Sequence, residues 1–256
     1  MLLVTWNVNS LKVRLPRVLE LLAEHRPGVV CLQETKVTPE AFPHDELLEA
    51  GYQAVEHSGG RWAGVAILAR EDLELGEASP GLPGEPHAED ARWIEAVVEG
   101  VRVVSVYVPN GREVGSESFS AKLAFLDAAA ARLAEPRGEA AIVGGDFNIA
   151  PADEDVYDPA AFVGSTHVTP QERARLQTVL ASGLVDAYRV RHPSEVGFTW
   201  WDYRQGHFHR KLGMRIDLVL VSEELSERVA ECGINRNYRK GPKPSDHAPL
   251  LLELSG

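Results

Sequence analysis

The chain has 256 residues, 44% of them apolar and 25% charged, which suits one large soluble α/β sandwich and not a disordered or fibrous protein. No run approaches the about 18 consecutive apolar residues of a membrane span, and the start, MLLVTWNVNS, lacks the basic and apolar regions of a secretory signal, so a cytoplasmic location is expected. Cys31 and Cys232 are the only cysteines and form no CxxC pair, which gives no support to a zinc site or a disulfide framework.

In chain order, short apolar runs rich in β-branched residues predict strands at Leu2–Val8, Gly28–Gln33, Gly64–Ala69, Trp93–Val98, Val101–Val108, Ala140–Gly144, Phe198–Trp201, Ile216–Val221 and Pro249–Leu254. Glu99-Gly100 is the candidate turn between the fourth and fifth. Helices are expected at Leu15–Glu24, from its leucine spacing, and at Phe119–Ala134, rich in Ala and Leu. A third starts at Thr169: Thr169 caps, Pro170 suits the first turn, Glu172 completes a capping box, and Gly183 would close it. Strands joined by short turns with helices interspersed predict two mixed sheets packed face to face with helices outside. No repeat or linker interrupts the chain, so one domain over residues 1–256 is expected.

The formal net charge of −12 argues against a polyanionic partner when taken as a sum. The distribution argues otherwise. Eight acids stand between Glu71 and Glu95, whereas Arg189–Arg215 holds six Lys/Arg against two acids and Cys232–Pro244 holds four and none. A cationic face on an acidic body and a set of solvated loops are both consistent with this pattern.

Polar residues able to hold a metal or a phosphate gather where the apolar runs end: Asn7 in WNVN, Glu34 in LQETK, Tyr107 and Asn110 in YVPNG, Asp146 and Asn148 in GGDFN, Asp217 in RID, and Asp246 and His247 in SDHAP. A strand end fixes a side chain rigidly at the rim of the core. Singly, each has an ordinary explanation; Asp146 and Asn148, for instance, suit a turn. Jointly, four carboxylates with two asparagines and a histidine suit Mg²⁺ or Mn²⁺, which neutralises a phosphate in an in-line displacement. His247 would orient a water or hold the phosphate as a cation. No GxxxxGK[ST] loop is present, which gives no support to P-loop chemistry.

The ordered set TWNVNS, LQETK, YVPNG, GGDFN, FTWWDYR, MRIDLVL and KPSDHAP, running from residue 5 to 249, resembles the exonuclease III family of abasic-site endonucleases within the DNase I-like (endonuclease/exonuclease/phosphatase) superfamily. The resemblance implies a four-layer α/β sandwich and a Mg²⁺- or Mn²⁺-dependent, monomeric DNA-repair nuclease. It would cut duplex DNA 5′ to abasic sites and clear its 3′ ends. By the same resemblance Glu34 is the principal metal ligand, helped by Asn7, and Asp246 is a further or second-metal ligand. His247 meets the phosphate or water and is paired with Asp217. Asp146 positions or deprotonates the water, and Asn148, Tyr107 and Asn110 touch the phosphate. Trp200, Met214 and Ile216 match the apolar walls of a pocket for an extruded baseless sugar. Trp62 matches an aromatic that touches DNA, a hydrophobic loop plug being the alternative. Arg112, Arg204, Lys211, Arg239, Lys240 and Lys243 are candidate phosphate contacts. A phosphatase for inositol phosphates or phospholipids shares the architecture, and a non-catalytic DNA-binding module is the third reading.

Overall fold

The structure is a computed structural model that describes residues 1–135 and 140–256. Its strands are β1 (Leu2–Asn7), β2 (Val29–Gln33), β3 (Tyr52–His57), β4 (Val65–Arg70), β5 (Ser79–Pro80), β6 (Trp93–Val98), β7 (Val101–Tyr107), β8 (Ala141–Asp146), β9 (Leu184–Asp186), β10 (Asp217–Ser222), β11 (Val229–Ile234) and β12 (Leu250–Leu254). The main helices are α1 (Leu11–His25), α2 (His44–Glu49), α3 (Glu117–Leu133) and α4 (Pro170–Leu180); shorter turns of helix follow at α5 (Ala187–Arg191), α6 (His207–Arg210) and α7 (Glu223–Ser226).

The strands form two six-stranded sheets, ordered β11-β12-β1-β2-β4-β3 and β5-β6-β7-β8-β10-β9. Each is mixed: β1 and β2 run parallel, as do β7 and β8, and the other neighbours are antiparallel. The sheets face each other across one core, where Leu3, Val29, Cys31 and Ile67 of the first meet Ile94, Val103, Ile142 and Val219 of the second. The outer face of the first sheet packs on Val18, Leu21 and Leu22 of α1 and Leu47 of α2. That of the second packs on Phe125 and Leu126 of α3 and Leu176 and Val179 of α4. The result is the four-layer sandwich implied by the resemblance. Strands covered on both faces need continuous apolar runs, which is why the inner strands read clearly in the sequence.

Local chemistry agrees. Glu99 and Gly100 both take positive φ, 51° and 74°, the combination of a type I′ turn joining β6 to β7. Thr169 Oγ1 accepts from Glu172 N at 3.2 Å while Glu172 Oε2 accepts from Thr169 N at 3.0 Å, the reciprocal capping box expected. Two expectations fail. Phe198–Trp201 is not a strand; Trp200 makes only isolated bridges to Met214 and His247, because the segment crosses the sheet edge instead of extending it. Gly183 does not close α4, which ends at Leu180 with Ala181 as its C-cap; Gly183, at φ 93°, turns the chain toward β9.

Gly145 is needed for close approach rather than for its φ. A Cβ there would lie 2.0 Å from the carbonyl oxygen of Val106 on the neighbouring strand β7. Gly145→Ala is therefore expected to cost about 3 kcal/mol through displaced backbone and to lower the thermal midpoint by roughly 6–12 °C, measured by calorimetry.

Candidate active site

The registers of the sheets bring the polar strand ends to one edge. Asn7 pairs with Gln33 across β1 and β2, so Glu34 follows directly. Tyr107 pairs with Asp146 across β7 and β8, and Asp146 pairs with Asp217 across β8 and the antiparallel β10. Beyond these ends the backbone enters the left-handed region at Asn9 (φ 44°), Glu34 (52°), Lys36 (52°), Arg112 (51°) and Asn148 (51°), and it does so again at His167 (81°) in the loop before α4. Each such non-glycine residue costs about 1–2 kcal/mol, and the surrounding bonds must offset it.

Glu34, Asp146 and His247 each offer a ligand atom within 4.8 Å of the others. Asn7 spans the two carboxylates, its Nδ2 donating to Glu34 Oε1 at 2.8 Å and to Asp146 Oδ2 at 2.9 Å. His247 Nδ1 donates to Asp217 Oδ2 at 2.8 Å, and its Nε2 lies 3.8 Å from Asp146 Oδ2, too far for a direct bond and open to a third group. Asp146 Oδ1 also accepts from Asn148 N at 2.9 Å. The two hard carboxylate oxygens of Glu34 and Asp146, with the imidazole facing them, fit a divalent cation.

The electrostatics follow from burial. Asp146 is 1% exposed; burial, with Asp217 and Glu34 nearby, pushes its carboxyl up to about 7 against the opposing pull of His247. Burial alone would depress His247, but Asp217 and Asp146 outweigh it and raise the imidazole to about 10. Burial, then Glu34 and Asp146, push the Tyr107 hydroxyl well above its ordinary value. Asp246 is pushed up by burial yet ends below the usual carboxylate range, because His247 and bonds from Asn9 and Trp200 favour its charge.

The other expected residues surround this group. Asp246 sits outside the Glu34–Asp146–His247 group: Asn9 Nδ2 at 2.9 Å and Trp200 Nε1 at 3.1 Å donate to its two oxygens. A bend at Asp246 lets the neighbouring His247 turn the other way. Asn7 meets the carboxylates through its amide nitrogen, not its oxygen, which accepts from Asn9 N. Asn148 Nδ2 donates to Val108 O at 2.9 Å, and Asn110 Nδ2 reaches Asn148 Oδ1 at 3.3 Å. Met214 and Ile216 are 1% and 2% exposed and back the wall that the half-buried Trp200 presents, with Val156 and Phe162 beside them. Trp62 is 70% exposed, which rules out the loop plug. With Asn110 and Arg112 it lines a cleft of about 410 Å³ that begins at Glu34 and Tyr107.

The expected cationic face is thinner than its arginine count. Arg239 is buried and donates to Ser245 O and Trp201 O. Arg215 is locked onto Asp155 and Asp186, and Arg189 onto Asp155. Arg204 is exposed but pairs with Asp202; Lys240 donates to Asn237. Lys211 and Lys243 are exposed and remain surface cations.

Sequence reasoning missed three residues. Lys36 Nζ holds Glu34 at 2.5 Å and Asn9 at 2.7 Å. Lys122, fully buried in α3, reaches Asn148 O at 2.7 Å, Asn110 O at 3.2 Å and the Glu172 carboxylate. His167 contacts Asn148 O through Nδ1 at 2.6 Å; burial and then Lys122 depress it to about 4, so it is a neutral imidazole. The LQETK motif held the signal for Lys36; a lone lysine in a helix and a lone histidine in a loop held none.

Residues 4–247 match the endonuclease/exonuclease/phosphatase family. The chain is 32% identical to exodeoxyribonuclease III of Haemophilus influenzae over 98% of both chains. Among solved structures, a 3′-5′ exonuclease (NExo) of Neisseria meningitidis superposes with TM-score 0.97 at 39% identity, covering all of both chains. An AP endonuclease of Archaeoglobus fulgidus does so with TM-score 0.95 at 35% identity, again over both whole chains.

Because the folded Asp146 holds its proton more tightly than the unfolded one, its contribution to stability is complete below the ordinary carboxyl pKa of 3.8 and is lost as pH rises through about 7. In metal-free protein, Asp146→Asn is thus expected to raise the thermal midpoint by an amount that grows from about pH 4 to about pH 7 and then levels. A pH series of melts in EDTA checks it.

Proposed function

The chain belongs to the endonuclease/exonuclease/phosphatase family, in its exodeoxyribonuclease III branch, and from there we propose a divalent-metal-dependent DNA-repair nuclease that cuts 5′ to abasic sites and removes nucleotides or blocking groups from 3′ ends. One catalytic domain over residues 1–256 would act as a cytoplasmic monomer. The observation that carries the reading is the meeting of Glu34, Asp146 and His247 within 4.8 Å, beside an aromatic wall at Trp200 and a cleft lined by Trp62, Asn110 and Arg112.

Glu34 would be the principal holder of Mg²⁺ or Mn²⁺, with Asp146 and His247 facing it across the site; when bound, the ion supplies positive charge to the phosphate oxygens and the departing 3′-oxygen. The remaining chemistry belongs to the chain. Asp146, poised near neutral pH, takes a proton from the attacking water; a base with that pKa is well matched to the work. His247 stays an imidazolium at that pH, so its role is to donate to a phosphate oxygen through Nε2 and not to abstract a proton. Asp217 fixes the ring through Nδ1. Trp200 offers an indole face to a sugar turned out of the duplex, and a nucleotide that keeps its base demands more room there. Trp62 and Arg112 lie along the backbone path, where contacts with phosphates position DNA without reading sequence.

The test is a gel. With Mg²⁺, a duplex carrying one abasic analogue is nicked on its 5′ side and a blunt duplex is shortened from its 3′ ends; EDTA abolishes both. His247→Ala and Asp146→Asn each lower turnover by about 10²–10⁴-fold, the range for lost acid–base or charge stabilisation, while duplex binding survives. Phosphate release from an inositol phosphate with no nick reverses the assignment. Binding falls steeply with salt, and Arg112→Ala makes that slope shallower by about one unit.

A further inference from the structure

We propose that Thr199 is a positioning residue for the Asp217–His247 pair, setting the separation of the two side chains from behind the site. This rests on the reading of that pair as the part of the site that grips the phosphate.

Thr199 is fully buried and its polar atoms bond to two separate segments. Its N donates to Met214 O at 2.9 Å. Its Oγ1 accepts from Ile216 N at 3.2 Å and from Asp217 N at 3.1 Å. Its carbonyl accepts from Ala248 N at 2.7 Å. One residue therefore spans the entrance of β10, which delivers Asp217, and the peptide just past His247. The next residue, Trp200, continues the strap by bridging to Met214 and His247.

Asp217 depends on such a strap more than most buried aspartates do. Its Oδ2 meets His247, but its Oδ1 is buried with no hydrogen-bond partner among the described residues. A carboxylate gripped at one oxygen takes its place from its main chain, and the side-chain hydroxyl of Thr199 is what holds that main chain's N–H. A dyad gains from placement to within about 0.5 Å, which packing alone seldom provides at a strand end.

Valine has the shape of threonine without the acceptor, and serine has the acceptor without the methyl group. In the full-length chain with Mg²⁺ and an abasic duplex, Thr199→Val is expected to lower kcat about 10–100-fold with KM within about threefold, and Thr199→Ser to keep kcat within about twofold. In metal-free protein, the low-field proton resonance of His247 Nδ1–H, identified by its loss in His247→Ala, should move or vanish in Thr199→Val and stay in Thr199→Ser. Leu47→Ala, in the remote α2 core, should lose thermal stability yet leave that resonance in place. If Thr199→Val does not fold, Thr199→Ala removes the same acceptor and carries the same expectation. Wild-type kcat in either variant overturns the inference, as does a loss no larger than that of Leu47→Ala with the resonance unmoved. Failure of the wild-type chain to cut DNA, with the resonance still dependent on the Thr199 hydroxyl, would instead sink the nuclease reading and leave Thr199 as the holder of the pair.

Discussion

Like charge gathered in a poorly solvated place is the constraint around which the molecule is built. Asp146 and Asp217 are almost wholly buried, Glu34 stands beside them, and unpaired carboxylates at such depth would be prohibitively costly. The fold answers with donors aimed from several directions. Asn7 ties Glu34 to Asp146, Lys36 holds the other side of Glu34, and the His247 imidazolium faces both aspartates. The residual imbalance pushes the Asp146 carboxyl up to about 7 and the His247 imidazole up to about 10. Those are the two protonation states that the proposed water activation and phosphate binding would use.

The same constraint explains the strained backbone. Side chains that meet from both sheets cannot all do so from regular strand positions, so the chain turns left-handed just past the strand ends, at Asn9, Glu34, Lys36 and Asn148. Buried bonds behind the site offset that strain. Lys122, with Glu172 as its counter-ion, reaches the carbonyls of Asn110 and Asn148 from α3. Arg215 and Asp155 form a second such lock behind Met214 and Ile216. Each is a charge pair removed from water, of the kind that serves geometry more than stability.

Much of this was legible in the sequence, and the omissions have a common cause. The inner strands announced themselves because both faces are covered. The four unexpected strands, β3, β5, β9 and β11, are the four edges of the two sheets; an edge such as Tyr52–His57 needs no continuous apolar run and carries the exposed Gln53. Strand-end placement brought Glu34, Asp146, Asp217 and His247 together correctly. It could not separate Asp246 from its neighbour, since only the bend at that position decides which of the two turns inward. Nor could it see that Arg215 and Arg239 spend their charge internally, because a basic stretch looks alike whether it faces solvent or aspartates. Thr199 was hidden for a similar reason: in FTWW the aromatics draw attention, while the residue making the bonds is the small one between them.

If the proposed function is right, one spot at this edge holds a cation and a phosphate together. Soaking crystals of the Asp146→Asn protein, bound to an abasic duplex, with Mn²⁺ and recording the anomalous difference map tests it most directly. The account predicts one dominant peak within bonding distance, about 2.0–2.3 Å, of a Glu34 carboxylate oxygen, with the scissile phosphate between it and His247 Nε2. Mn²⁺ bound only to the acidic surface between Glu71 and Glu95, with nothing at Glu34, would contradict it.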